Sequence, residues 1–149
     1  MEWRADMRPR IAEKAASDNR FLRNKLVAAG VRPTRQRLDV GRLIFRSGDR
    51  HFTAETIYNE ALTIPHPPSL ATIYNTLEEF VRSGLLREIA VYDSKVWYDT
   101  TTGPHFHFYN QDTKELSDIP GCCPADLGIR APDGTRIDAI DVIVRLKSS

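Results

Sequence analysis

Residues 69–84 read SLATIYNTLEEFVRSG, and this stretch carries the signs of a single helix with two defined ends. Ser69 is a favourable N-cap residue that follows a pair of prolines, and Gly84 stands where a left-handed C-cap residue is expected. Helical spacing predicts a buried apolar face formed by Ile73, Leu77, Phe80 and Val81. The opposite face is predicted to present small polar side chains, namely Ser69, Thr72, Asn75 and Thr76. Such a face beside Tyr74 suits a helix that enters the major groove of DNA, and an ordinary amphipathic helix is the alternative.

The distribution of charge along the chain is uneven, although the formal net charge is only +1. Residues 1–50 contain 13 Lys and Arg against 6 Asp and Glu, whereas residues 100–149 contain 5 against 7. This asymmetry predicts an N-terminal half that faces nucleic acid, or else a basic face that is only solvated. No apolar run reaches the length of a transmembrane helix and no signal-peptide pattern is present. We therefore expect a cytoplasmic protein that is not bound to a membrane.

The stretch at residues 69–84 lies within a pattern typical of a winged helix-turn-helix domain. The predicted segments around it are a loose or partly helical arm (1–16), three helices (17–29, capped by Ser17 or Asp18, then 35–46 and 54–62) and two strands (85–90 and 95–99). The third of these helices and the helix after Ser69 form the turn pair of this layout, and the two strands form the wing.

Residues 100–104, TTTGP, have the composition of a hinge, and the sequence after them changes character. Further predicted segments are strands at 105–110, 115–119 and 137–146 and a short helix near 124–127. Three strands and one helical turn bury too little area to be stable alone, so we expect this part to dimerise. The predicted fold is α+β, with an N-terminal winged helix-turn-helix domain (1–99) followed by a small α/β dimerisation domain (105–149).

Four segments of the sequence carry a family resemblance. They are GVRPTRQR (30–37), HFTAETIY (51–58), SLATIYNTL (69–77) and HFH (105–107). Through them the chain resembles the ferric uptake regulator (Fur) family of metal-responsive bacterial repressors, and most of all the branch of the iron response regulator and the peroxide-responsive repressor. The resemblance implies a homodimeric repressor of iron-homeostasis or peroxide-stress genes that binds double-stranded DNA at a pseudo-palindromic operator.

The resemblance also assigns DNA-binding roles to five residues. Base reading in the family falls on Tyr74 and Asn75, a minor-groove contact falls on Arg32, and phosphate contacts fall on Ser69 and Thr72. The side-chain chemistry agrees, because asparagine can pair bidentately with adenine and arginine suits a narrow, A/T-rich minor groove.

The regulatory metal site of the family falls on His51, Asp99, His105, His107 and Asp118. His105 and His107 are two apart in a predicted strand, so both side chains leave the same face, and Asp118 in the neighbouring strand can meet them. Three imidazoles and two carboxylates are predicted to bind Fe(II) or Mn(II) and to tolerate Zn(II). The resemblance implies that metal at this interdomain site sets the affinity for DNA.

The only cysteines, Cys122 and Cys123, are adjacent and cannot bridge to another part of the chain. The structural zinc site usual in the family needs two CxxC pairs, so we expect it to be absent. Cys123 followed by Pro124 matches the minimal haem-regulatory dipeptide, which makes haem a candidate effector beside iron, manganese and peroxide. The alternative is a pair of small, partly buried thiols without such a role.

Three other functions compete with a metal-activated repressor. The first is a regulator similar to the iron response regulator, active when iron is scarce and responsive to haem. The second is a winged-helix regulator that does not depend on metal. The third is a metalloenzyme, because sites built from His and Asp can be catalytic. We expect no enzyme, since the sequence shows no nucleophile or general base beyond the predicted ligands.

Overall fold

The computed structural model of the chain describes residues 7–92 and 95–149, with side chains from residue 13 onward. Its helices are α1 (Met7–Ala28), α2 (Arg35–Phe45), α3 (Ala54–Ala61), α4 (Leu70–Arg82) and a short 3-10 helix (Pro124–Leu127). Its strands are β1 (His51–Thr53), β2 (Arg87–Ala90), β3 (Val96–Asp99), β4 (His107–Asn110), β5 (Glu115–Asp118) and β6 (Ile143–Leu146). A helical N-terminal part is followed by a small sheet, which confirms the α+β class. Within the described ranges, no helix is long and apolar enough to cross a membrane.

Hydroxyl side chains define the starts of three helices. The Oγ atoms of Thr34, Thr53 and Ser69 each accept a hydrogen bond from the backbone N–H three residues further on, at 3.3, 3.3 and 3.1 Å. After α4, Gly84 has a φ of +79°, a left-handed conformation that glycine adopts at little cost. The predicted limits of the helix after Ser69 are therefore confirmed.

The N-terminal helix begins earlier than the sequence predicted. Because α1 starts at Met7, the helical alternative for the arm is the one observed from residue 7 onward, and Ser17 and Asp18 lie inside the helix and do not cap it. Residues 1–6 of that arm lie outside the described residues. Ala, Glu, Lys and Arg are strong helix formers and dominate the start of α1. Pro9 is tolerated there because the backbone N–H groups of a first turn have no partner within the helix.

The helices enclose one apolar core. From α4 it takes Ile73, Leu77 and Phe80, as predicted, while Val81 packs at its edge. The placement of Thr76 on the polar face was wrong, because this residue is only 4% exposed. Its hydroxyl donates a hydrogen bond to the carbonyl of Thr72 at 2.8 Å, which satisfies the polar group inside the helix and permits burial.

The first sheet is antiparallel and has the strand order β1-β3-β2. β2 and β3 form the predicted hairpin of the wing. The sequence did not predict β1, whose three residues are too few to show the alternation of a strand and run directly into α3. This strand matters for the site, because it places His51 directly opposite Asp99.

The second sheet has the order β5-β4-β6, with β5 antiparallel and β6 parallel to β4. Its strands are shorter than predicted. β4 begins at His107, so His105 lies just before the strand and not within it, and residues 137–142 precede β6 without strand structure. The short helix predicted near residues 124–127 is confirmed as a 3-10 helix.

A second apolar cluster joins the two sheets. Its buried members are Ile89 and Val91 from the end of the wing and Tyr109 and Leu116 from the second sheet, with Trp97 and Ile143 packed against them. The guanidinium of Arg87 in β2 also pairs with the carboxylate of Asp141. The two sheets are therefore held together both by apolar packing and by an ion pair.

Candidate metal centre and nucleic-acid interface

The five side chains predicted as metal ligands converge where the two sheets meet. His51 begins β1, Asp99 ends β3, His107 begins β4 and Asp118 ends β5, while His105 lies two residues before His107. One ligand atom from each of the five can be chosen so that all lie within 4.8 Å of one another. The structure brings the whole predicted set together, although its role in binding metal stays a prediction.

Strand register explains this convergence. His51 and Asp99 are direct partners in the β1–β3 pair, and His107 and Asp118 are direct partners in the β4–β5 pair. Directly opposed residues in antiparallel strands carry side chains on the same face of the sheet. Each sheet therefore supplies one histidine and one aspartate, and His105 completes the group from the segment that enters β4.

Two carboxylate oxygens face the same three imidazole nitrogens. Oδ2 of Asp99 lies 3.1, 2.8 and 3.0 Å from the Nε2 atoms of His51, His105 and His107. Oδ1 of Asp118 lies 2.9, 3.1 and 3.5 Å from the same three atoms. Asp99 and His107 are almost fully buried, whereas Asp118 is half-exposed and forms the solvent side of the group.

Backbone groups orient two of these side chains. Nδ1 of His105 lies 2.7 Å from the carbonyl oxygen of Gly103, to which it can only donate, so the neutral ring presents the lone pair of Nε2 to the centre. The N–H of Thr101 donates to Oδ1 of Asp99 at 2.8 Å and leaves Oδ2 toward the imidazoles. Sequence reasoning missed both contacts, because a backbone group is not marked by any residue type.

The electrostatics of the group couple histidine to carboxylate. Burial acts to lower the pKa of His51, but the neighbouring carboxylates of Asp99 and Asp118 outweigh it and raise that pKa above its usual value. Burial acts to raise the pKa of Asp99, yet His107, His51 and the Thr101 N–H stabilise its charged form and bring the pKa far below its usual range. Asp99 is therefore an ionised carboxylate at neutral pH.

The chemistry of the donors fits a divalent metal. Nε2 of His51 is buried and makes no hydrogen bond of good geometry within the described residues, although it lies 2.9 Å from Oδ1 of Asp118. A nitrogen close to a carboxylate oxygen but not directed at it is the relation expected of two ligands that share one cation. The set of three nitrogens and two oxygens suits Fe(II), Mn(II) or Zn(II).

The residues predicted to contact DNA lie around the start of α4. Arg32, Ser69 and Asn75 are exposed, Tyr74 is 40% exposed, and Thr72 is half-buried. A cleft of about 380 Å³ between the start of α2 and α4 is lined by Arg32, Thr34, Gln36, Arg37, Thr72, Asn75 and Thr76. The structure thus brings Arg32, Thr72 and Asn75 to one cleft and leaves Ser69 and Tyr74 outside its lining.

Positive charge concentrates at this cleft. Further along the chain, Arg42 in α2 and Arg46 directly after it have acidic partners in Asp39 and Glu60, at 2.6 and 3.9 Å. Among the residues that the structure describes, neither Arg32 nor Arg37 forms a salt bridge, and Arg37 donates instead to the carbonyl oxygen of Arg32 at 3.1 Å. Gln36 and Arg37 were not among the predicted DNA contacts, and their position at the helix start, beside Thr34, was the available signal.

The two cysteines lie in the segment before the 3-10 helix as free thiols, with Cys122 exposed and Cys123 half-buried. The N–H of Cys123 donates to the carboxylate of Asp126 at 2.9 Å, which stabilises the start of that helix. Cys123 thus has a local structural contact, and its role toward haem stays a prediction.

Comparison with known proteins identifies the family. A model of the ferric uptake regulator family matches residues 28–122, which include the helix-turn-helix, the wing and all five converging residues. The chain belongs to the ferric uptake regulator family. The peroxide-responsive repressor PerR of Staphylococcus aureus (strain USA300) is 37% identical over 92 residues, a match that spans 61% of this chain and 61% of that repressor.

Solved Fur structures share the fold. The ferric uptake regulator of Pseudomonas aeruginosa with manganese superposes with a TM-score of 0.66 at 20% identity, covering 85% of this chain and 97% of that one. The ferric uptake regulator of Vibrio cholerae gives 0.69 at 20% identity, covering 85% and 98%. The predicted winged helix-turn-helix followed by a small C-terminal domain is confirmed as the fold.

Proposed function

We propose that this Fur-family protein is a homodimeric, metal-dependent transcriptional repressor that binds double-stranded DNA. The observation that supports it most directly is the convergence of three imidazole nitrogens and two carboxylate oxygens, drawn from both sheets, within 4.8 Å of one another. In this proposal residues 1–99 are the DNA-binding domain, residues 100–104 the hinge and residues 105–149 the dimerisation domain.

The regulatory ion is Fe(II) or Mn(II), for which Zn(II) can substitute, and the ligands are His51, Asp99, His105, His107 and Asp118. When bound, the ion supplies positive charge that compensates two carboxylates, one of them only 1% exposed. Protons compete for the same nitrogens, so binding requires His51 to give up the proton that its raised pKa favours.

Closure of the two sheets is required to assemble all five ligands. Thr100 is tied to the first sheet, since its Oγ1 accepts from the N–H of Arg50 at 2.8 Å and its own N–H donates back to Arg50 at 3.2 Å. The N–H of Thr101 is held as well, by Asp99, so the first two residues of the proposed hinge are fixed to the first sheet. If the closed arrangement alone completes the site, metal at roughly 100 times its Kd favours it by about 2.7 kcal/mol.

Exposed apolar side chains support dimerisation through the C-terminal part. Leu127, Ile129, Ile137, Val144 and Leu146 are each between 37% and 57% exposed, and the last two lie in β6 at the edge of its sheet. An edge strand with exposed apolar residues is a surface that another chain can cover. A symmetric dimer presents two α4 helices to half-sites about one DNA turn apart, which predicts a pseudo-palindromic operator.

On the DNA, Tyr74 and Asn75 read base edges in the major groove, Arg32 enters the minor groove, and Ser69 and Thr72 contact phosphates. Similarity to the Staphylococcus aureus peroxide-responsive repressor supports peroxide as an effector, beside iron itself. A response to haem is the second candidate, and the free thiol of Cys123 before Pro124 is the feature that favours it.

Selection of DNA by the purified protein tests this function. A pool of random duplexes is incubated with the metal-free protein, with and without Mn(II), and the bound duplexes are sequenced. We expect a pseudo-palindrome to be enriched only with Mn(II). Enrichment of the same sequence without metal would favour a metal-independent regulator, and the absence of any enriched sequence would contradict the proposal.

A further inference from the structure

One contact on the proposed DNA-reading surface is not explained by the packing of the fold. The hydroxyl of Tyr74, in α4, donates a hydrogen bond to Oε1 of Glu55 in the first turn of α3, at 2.7 Å. Neither residue belongs to an apolar core, and Tyr74 keeps 40% of its surface exposed. The contact thus links the two helices of the turn pair across their outer surface.

The charge state of the pair makes Glu55 the acceptor. The hydrogen bond from Tyr74 lowers the pKa of Glu55, and the same bond raises the pKa of Tyr74. A carboxylate near the N-terminus of α3 also interacts favourably with the dipole of that helix. At neutral pH the phenol therefore keeps its proton and donates a hydrogen bond to the ionised carboxylate of Glu55.

This arrangement has two consequences for an exposed tyrosine. Its ring is fixed in one orientation before any ligand arrives, which reduces the ordering cost of binding. Its oxygen has already used its only proton, so that toward solvent it can act only as an acceptor. In the major groove such an oxygen matches the amino groups of adenine and cytosine and cannot donate to the acceptors of guanine or thymine.

We propose that Glu55 is a positioning residue for sequence recognition, which orients Tyr74 and makes it an acceptor for the amino group of a base. The proposal rests on the DNA-binding function proposed above. It assigns to α3 a direct part in specificity, although Glu55 itself need not touch a base.

The test is a double-mutant cycle read as a specificity ratio. Affinity with Mn(II) is measured for the duplex that the unmodified protein selects and for a random duplex of equal length. Glu55→Ala and Tyr74→Phe should each lower the ratio of the two affinities by about three- to tenfold, the range of one hydrogen bond. The double variant should lose no more than either single one, because both changes remove the same contact.

Two further variants separate positioning from charge and from folding. Glu55→Gln keeps an acceptor for the Tyr74 hydroxyl and should recover most of the ratio that Glu55→Ala loses. Glu78→Ala removes an equal charge from α4 but not the contact, since Glu78 pairs with Arg82 at 3.2 Å, and should leave the ratio unchanged. Thermal unfolding of every variant tests whether a lower ratio reflects a lost fold.

Additive losses in the double variant, or an equal loss in Glu78→Ala, would overturn the inference. If the wild-type protein selects a sequence and Glu55→Ala has the same ratio of affinities for the selected and random duplexes, the inference is overturned as well. The proposed function then remains intact. A wild-type protein that selects no sequence removes the proposed function, and this inference with it.

Discussion

Asp99 is the residue on which the candidate metal centre depends. Its Oδ2 faces all three imidazoles while its Oδ1 accepts the N–H of Thr101, so a side chain that is 1% exposed uses both oxygens. It also pairs through its backbone with β1 on one side and β2 on the other. Its position is therefore fixed by the first sheet before any ion binds, whereas Asp118 at the solvent side has more freedom.

At the same scale, His51 is expected to couple metal to DNA. His51→Ala should leave four of the five ligands, so Mn(II) still binds but more weakly, because one nitrogen donor is lost. The Mn(II)-dependent gain in affinity for the selected duplex should shrink but not vanish, because Asp99 is then the only ligand left in the first sheet to hold it to the second. Calorimetric Mn(II) titration together with DNA binding measures both effects.

The matched control for that variant is His66→Ala, because His66 is the one histidine outside the group. It should titrate and bind DNA like the unmodified protein. A His51→Ala protein whose DNA affinity still responds fully to saturating Mn(II) would show that β1 is not part of the coupling.

The sequence predicted the site better than the surface around it. Family motifs identified all five converging residues, because those residue types recur at fixed spacing. Periodicity assigned Thr76 to the wrong face, since it cannot show that a hydroxyl bonds to its own helix and can be buried. It also missed Glu55, whose partner Tyr74 lies in the next helix.

At the scale of elements, the end signals were reliable for α4 and misleading for α1. The cap predicted at Ser69 marked the start of α4 correctly, because a cap is a local interaction between residues three apart. The start of α1 was placed too late, because Ser17 and Asp18 have the chemistry of cap residues but lie inside the helix. β1 was missed because its pairing with β3 depends on residues more than 40 positions away.

The end of α4 gives a prediction at this scale. Gly84→Ala should lower the free energy of unfolding by about 1 to 2 kcal/mol, because a Cβ is unfavourable in the left-handed region at a φ of +79°. Nothing lies within 4 Å of the added atom, so the whole effect is conformational. Urea unfolding of the metal-free protein measures it.

Gly103→Ala is the control for that substitution. Gly103 has equally open surroundings but no positive φ, so its replacement should change the free energy of unfolding by less than about 0.5 kcal/mol. Equal losses in the two variants would refute the conformational explanation at Gly84.

For the whole molecule, the apolar cluster between the sheets means that metal is not the only attraction across the boundary. Ile89 and Val91 belong to one cluster with Tyr109 and Leu116 and are each at most 1% exposed. The side chain of Arg145 also donates a hydrogen bond to the carbonyl oxygen of Val91 at 3.4 Å. No local pattern showed this cluster, because its buried members come from three strands in two different sheets, counting Val91 with β2, which it directly follows. This packing favours the closed arrangement of the two sheets even before metal binds. The apparent affinity for metal therefore depends on the fraction of molecules in which the sheets are closed.

Leu116→Ala tests this linkage. Leu116 is 8% exposed in the interdomain cluster, so its truncation should cost about 2 to 5 kcal/mol of packing and lower the population of the closed arrangement. Mn(II) affinity should fall even though no ligand is altered, because the five donors meet only when the sheets are closed. Leu26→Ala, at 0% exposure in the core of the helices, removes the same atoms away from the boundary. Circular dichroism first checks that both variants are folded. Mn(II) titration should then show weaker binding for Leu116→Ala alone. An equal change in both variants would mean that global stability, and not closure of the sheets, sets the metal affinity.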